Sequence, residues 1–213
     1  MKEGGTTTIY LLRHAQTEHN EKQIFQGHFD GKGTHVTEQG KRDLEGYLKR
    51  FEKVSFSAIF CSDLTRSRQT AEIFSKKFGL PVLATPLLRG KRMGHYEGTF
   101  VSDYRIKNKE VLGKMHTLSE QEQWDHKMSK EMESNAEVLR RLMIFLRNAT
   151  ATYPGKNILA ITHGGVIRNL LFYLTWAKQH EMRAGSVNNG GYVKLIFDGT
   201  TFKAEELFGI AKN

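Results

Sequence analysis

Two histidines in this chain of 213 residues stand beside small residues, in Arg13-His14-Ala15-Gln16-Thr17 and in His163-Gly164-Gly165. Each follows a short apolar run, Thr8–Leu12 and Ile158–Thr162. A third run, Ala58–Cys61, leads into Ser62-Asp63-Leu64-Thr65-Arg66. A neutral imidazole aimed at an electrophile is a competent nucleophile. Arginine is permanently charged, and its planar fork matches phosphate oxygens two at a time. His14 and His163 with Arg13 and Arg66 therefore suit a transferring phosphoryl group. One histidine attacks phosphorus while the other groups stabilise charge on the equatorial oxygens. Ala15, Gly164 and Gly165 keep the approach open, and free amides at the start of a helix after His163 would add donors. The rival for a histidine-rich site is a metal hydrolase. The nine histidines include no His-Glu-x-x-His and no visible ligand cluster with carboxylates, so neither metal nor other cofactor is expected. Cys61 ends an apolar run and reads as a buried small thiol rather than a nucleophile.

The elements that must place these groups alternate along the chain. Thr8–Leu12, Ala58–Cys61, Val82–Thr85, Ile158–Thr162 and Tyr192–Phe197 read as strands. Between them, Thr37–Phe51 is amphipathic, and Asp63–Phe78 ends at Gly79-Leu80-Pro81, a helix stop. Ser134-Asn135-Ala136-Glu137 matches a capping box. From it Leu139, Leu142, Met143, Leu146 and Ala149 recur as one helical stripe. Val166–Ala177 is apolar nearly all round, as a buried helix would be. This order predicts an α/β fold, a mostly parallel sheet with helices on both faces. In such sheets ligands bind beyond the carboxyl ends of the strands, where the clusters above fall. Residues 1–213 are expected to form a single domain. Within it, residues 99–133 are polar and mixed in charge, and read as a helical insertion or a lid.

Lys+Arg 32 against Asp+Glu 23 gives a formal charge of +9, and the excess lies in the flanks rather than in residues 101–135. A positive field steers small anions. Nucleic acid would call for long basic blocks interleaved with aromatics, which are absent, so the expected partner is a small phosphorylated substrate. No apolar run approaches the roughly 18 residues of a membrane span. The N-terminus lacks a cleavable signal pattern, and the single cysteine excludes an intramolecular disulfide. A cytoplasmic protein is expected, and its oligomeric state is left open by the sequence.

Three segments, in order, resemble the histidine phosphatase superfamily in its phosphoglycerate mutase-like branch. They are Leu12-Arg13-His14-Ala15-Gln16-Thr17-Glu18-His19-Asn20, Ser62 through Glu72, and Ile161 through Arg168. Asn189-Gly190-Gly191 is similar to the family's late strand entry. The resemblance implies that His14 becomes the phosphohistidine and that Arg13, Arg66 and His163 form the charged pocket around it. It implies substrate contacts from Asn20 and Gln26, and more structural roles for Asp63, Gln69 and Thr70. Arg68 and Arg168 read as surface or helix support.

Two departures stand out. Ala15 replaces the more usual glycine, which is one methyl group and tolerable. In Leu88-Arg89-Gly90-Lys91-Arg92-Met93-Gly94-His95-Tyr96-Glu97-Gly98, the position where relatives carry the proton-donating glutamate falls on Gly90. A general acid contributes about 10²–10⁴-fold, so poor leaving groups would suffer most unless Glu97, Asp103 or water donates. The implied activity is a phosphate monoester hydrolase. The alternatives are phosphoglycerate mutase-type transfer, disfavoured by a short chain without an Asn-Glu-Arg run, and a catalytically weak phosphate-binding or regulatory module.

Overall fold

The computed structural model describes residues 5–212. Six strands form one sheet: β1 (Thr7–Arg13), β2 (Phe56–Ser62), β3 (Val82–Thr85), β4 (Asn157–Thr162), β5 (Val187–Phe197) and β6 (Phe202–Ile210). Their order across the sheet is β3-β2-β4-β1-β5-β6. The first four run parallel, β5 lies antiparallel to β1, and β6 antiparallel to β5.

The helices are α1 (Glu18–Glu21), α2 (Glu38–Leu48), α3 (Thr65–Phe78), α4 (Val101–Lys107), α5 (Lys109–Lys114), α6 (Glu120–Asp125), α7 (Asn135–Thr152) and α8 (Gly164–Tyr173). Strand residues alternate between two cores. Ile9 and Leu11 face Val138, Leu142 and Leu146 of α7 and Val166, Ile167 and Leu170 of α8. Tyr10 and Leu12 face Leu44 of α2 and Ala71 and Phe74 of α3. With both faces covered, the central strands can be apolar throughout, as they are.

The expected start of α7 holds: the Ser134 hydroxyl accepts from the Glu137 amide and the Glu137 carboxylate accepts from the Ser134 amide. The expected stop of α3 also holds, with Gly79 in the left-handed region at φ 68°, where glycine has no steric penalty. Several boundaries move: β5 starts five residues early, at Val187, and α2 ends at Leu48 rather than Phe51. α8 begins at Gly164, two residues early, and ends at Tyr173 rather than Ala177. α3 begins at Thr65, because the Asp63 side chain is paired with Arg89 and does not cap the helix. β6 was not expected. It is an edge strand carrying Lys203, Glu205 and Glu206, and its pairing with β5 shifts register between Lys194 and Leu195, which breaks the period-two signal.

Residues 99–133 hold α4, α5 and α6 and join the rest of the domain near the turn at residues 93–98. Tyr104 packs edge-on against Tyr96 and Phe25, with ring centroids at 4.7 and 5.2 Å. The Glu133 amide donates to the Arg92 carbonyl at 3.1 Å.

Candidate active site

Strand register brings the two histidines together. Arg13 of β1 pairs with Thr162 of β4, and the His14 amide continues that ladder onto the Thr162 carbonyl at 2.9 Å. The next residue on each chain is a histidine. Their ring centroids lie 5.0 Å apart with planes inclined by 62°, and both residues are buried. Arg66, in the first turn of α3, arrives from the end of β2, the other neighbour of β4.

Nδ1 of His14 is 2.7 Å from the Ala15 carbonyl. A carbonyl can only accept, so Nδ1 carries the proton and Nε2 presents its lone pair. Burial, reinforced by the Arg66 and Arg13 charges, holds the His14 pKa well below the ordinary histidine value. The ring is therefore neutral at neutral pH, as a nucleophile must be. The backbone behind it is fixed from two sides. Thr70 Oγ1 accepts from the Ala15 amide at 2.9 Å and donates to the Arg66 carbonyl at 2.7 Å. Asn189 Nδ2 donates to the His14 carbonyl at 2.9 Å and lies 3.0 Å from Asn20 Oδ1.

Arg66 is 1% exposed. Its guanidinium donates to the carbonyls of Gly27 at 2.8 Å and Phe29 at 3.2 Å, with the Asp30 carboxylate at 3.8 Å. Its Nε is buried without a partner. An unpaired buried donor is costly unless a ligand takes it. Burial draws the Arg66 pKa down to about 10, still far above neutrality, so the cation persists. Arg13 donates from Nη1 to the Val187 carbonyl at 2.5 Å, and its stem lies against Gly164, where a Cβ would come within 3.2 Å of Cδ. Burial first, then Arg168 and Arg66, lower its pKa to about 10.

Burial likewise holds the His163 pKa well below its ordinary value, with further lowering from Arg66, His14, Arg141 and Arg13. Its Nε2 is 3.4 Å from Ser67 Oγ. Asn20 and Gln26 stand one layer out, around Thr17: the Thr17 hydroxyl is 3.1 Å from Asn20 Oδ1 and 3.2 Å from Gln26 Oε1. Their oxygens are thereby occupied, while among the described residues their amide nitrogens make no hydrogen bond. The Gln69 side-chain oxygen accepts from the Val36 amide at 2.8 Å, and exposed Arg68 donates to the Asp63 carbonyl at 3.0 Å. Burial pushes the Cys61 thiol up to about 12.

Gly90 faces His163. A Cβ there would lie 3.2 Å from His163 Cγ and 3.4 Å from the Gly27 carbonyl oxygen. The position is at the site, and its side chain is missing. Glu97 does not fill the gap: its Oε1 accepts from the His28 and Met93 amides, both at 2.9 Å, and holds the turn beneath Gly27. Asp103 is exposed on α4. The Gly90 carbonyl is clamped by Arg141 Nη2 and His28 Nε2, both at 2.9 Å, and Arg141 also binds the Leu87 and Arg89 carbonyls. Sequence reading missed Arg141 and His28. The signal for Arg141 was present, because it is a cation set between Val138, Leu142 and Phe145 on the buried side of α7.

Neutral imidazole, paired guanidinium groups and open strand ends define a histidine-dependent phosphoryl-transfer site on an α/β sheet. The histidine phosphatase superfamily (branch 1) matches residues 9–208, and the chain belongs to that family. It is 30% identical over 175 residues to a broad-specificity phosphatase of Saccharomyces cerevisiae, covering 79% of this chain and 70% of that one. In fold it is similar to a phosphoglycerate mutase from Bacillus anthracis, with TM-score 0.82, 21% identity and coverage of 98% and 95%. A mycobacterial glucosyl-3-phosphoglycerate phosphatase complexed with VO3 aligns with TM-score 0.79 at 20% identity, covering 96% and 99%. No helix among the described residues is long and apolar enough to cross a membrane.

Proposed function

We propose that the protein hydrolyses phosphate monoesters through a phosphohistidine at His14. The observation that carries this reading is the Nδ1 contact to the Ala15 carbonyl, which leaves the Nε2 lone pair free beside His163. In the first step Nε2 attacks phosphorus and the P–O bond to the leaving alcohol breaks, with a proton passed from a water molecule to the departing oxygen. In the second, water attacks the phosphohistidine, releases inorganic phosphate and restores the neutral ring. Arg13, Arg66 and His163 stabilise the equatorial oxygens, and the free amide nitrogens of Asn20 and Gln26 bind the same group. Residues 99–133 act as the covering insertion of a single domain, since they pack on the turn that follows Gly90.

Hydrolysis is favoured over mutase chemistry by position 90. A mutase expels one alcohol and accepts another, and needs a proton partner for both. With no side chain there, activated leaving groups and transfer to water are the easier course. A small phosphorylated substrate and a cytoplasmic setting fit a basic chain whose one thiol is buried.

The test is incubation with a phosphate-labelled aryl ester. Acid-labile, base-stable label on His14 together with released phosphate supports the reading. Release of no phosphate from any ester supports the phosphate-binding module instead, and label passed to an alcohol in preference to water supports the mutase.

A further inference from the structure

The loop that holds Arg66 also carries an exposed aromatic ring. Phe29 accepts from the Arg66 guanidinium through its carbonyl at 3.2 Å, yet the residue is 40% exposed. Its ring stacks on His19 of α1, with centroids 5.9 Å apart and planes inclined by 11°. Burial, helped by the Arg66 and Lys22 charges against the opposing pull of Glu18, holds the His19 pKa below its ordinary value. That ring is therefore neutral at neutral pH and stacks as an aromatic.

The stack is built into the backbone. In Asp30-Gly31-Lys32-Gly33, a Cβ on Gly31 would lie 2.7 Å from Phe29 Cζ, and one on Gly33 would lie 2.5 Å from His19 Nε2. Only glycine leaves room for both rings, and Gly33 also has φ 86°, a conformation that glycine adopts without penalty. Asp30 ties the loop to the start of α3: its carboxylate accepts from the Thr65 amide at 3.0 Å and from the Thr65 hydroxyl at 2.9 Å, and stands 3.8 Å from Arg66 Nη1. A ring held in advance loses little freedom when a second ring joins it.

The proton inventory points to the same kind of ligand. Glu97 is engaged by two amides, Glu133 by Arg141, Asp63 by Arg89 and Asp30 by Thr65. His28 donates its Nε2 proton to the Gly90 carbonyl, and position 90 has no side chain. The leaving oxygen must then depart as an anion that is stable in its own right. Phenols ionise near pH ~10, as tyrosine does, and aliphatic alcohols are far weaker acids.

Resting on the phosphatase reading, we infer that the His19–Phe29 stack is a binding face for an aromatic ring, so that the preferred substrate is an aryl phosphate. His14 Nε2 bonds to phosphorus, the P–O bond to the aryl group breaks with its electron pair on oxygen, and the phenolate then takes its proton from water. Phe29 selects the substrate and takes no part in bond breaking.

The test separates the ring from the acidity of the leaving group. Phenyl phosphate is compared with hexafluoroisopropyl phosphate, whose parent alcohol is of similar acidity and has no ring. The phenyl ester is expected to have a kcat/KM at least about five-fold higher. That ratio should fall toward one in Phe29→Leu, mainly through KM, and persist in Phe29→Tyr. Binding is read without turnover by calorimetry of phenylphosphonate and cyclohexylphosphonate, with and without Phe29→Leu, and the aromatic ligand should lose its advantage in that variant. Ratios near one in both assays, or ratios unmoved by Phe29→Leu, overturn the aromatic face even if turnover is brisk. A merely structural role for Phe29 would lower both members of a pair alike and leave the ratio in place, which also overturns it. Selective binding of the aromatic phosphonate without turnover of any ester sustains the aromatic face and overturns the hydrolase instead.

Discussion

The two sides of the active site are furnished very differently. In the proposed phosphate pocket three groups are held by backbone carbonyls: His14 by its own neighbour's, Arg66 by those of Gly27 and Phe29, Arg13 by that of Val187. Facing the leaving group, Gly90 offers only a backbone, although that backbone is clamped by Arg141 and His28. The contrast teaches that bond making and proton delivery are separable duties. On the proposed reading the chain keeps the charged groups for the first, and has glycine at the position that the resemblance gives to the second.

The most severe way to break the phosphate side is His14→Ala. Loss of a covalent nucleophile should lower turnover on the order of 10⁴–10⁶-fold, read as phosphate release and loss of the acid-labile label. Next is Arg66→Ala, which deletes a buried cation aimed at transition-state charge. A loss of about 3–4 kcal/mol, or roughly 10²–10³ in kcat/KM, is expected, and near-normal kinetics would remove Arg66 from the mechanism.

The leaving-group side is sharpened by comparing an aryl with an alkyl phosphate. With no general acid, the alkyl ester should lag by a factor of about 10²–10⁴ beyond an enzyme that has one. Gly90→Glu should narrow that gap, and Gly90→Ala should not. Both must displace His163 or the Gly27 carbonyl by a few tenths of an ångström, because the new Cβ is born at 3.2 Å. For Gly90→Ala the cost in stability should be about 1–3 kcal/mol, measured by denaturant unfolding. A normal alkyl rate in the unaltered enzyme would mean that another donor reaches the oxygen.

The smallest effect is in pH. Burial and the neighbouring arginines hold the folded pKa values of His14 and His163 well below the ordinary histidine value of about 6.5. The unfolded chain therefore binds more protons below that pH, and stability should decline as pH falls through about 6.5 toward the folded values. The acid limb of kcat/KM should likewise lie below 6.5, and a limb above it would contradict neutral buried rings.

The sequence made most of the phosphate side legible because its groups follow apolar strands directly. Once Arg13 and Thr162 end neighbouring parallel strands, the next residues must meet. Gly90 was also readable as a gap. What could not be read was tertiary in origin. Arg141 reaches the Gly90 turn from α7 across more than fifty positions, and Glu97 spends its carboxylate on two backbone amides, which no local pattern reveals. β6 was hidden by charge on an edge strand and by a register shift.

The pairing of Arg13 with Thr162 also bears on how the molecule is made. The two central strands are about 150 positions apart in the chain, so the pairing of His14 with His163 cannot nucleate locally. It forms only after the long intervening segment has been closed, a slow event in chains dominated by distant contacts. During refolding, recovery of phosphate binding should trail helix formation, and a nascent chain released before β4 emerges would have no site at all.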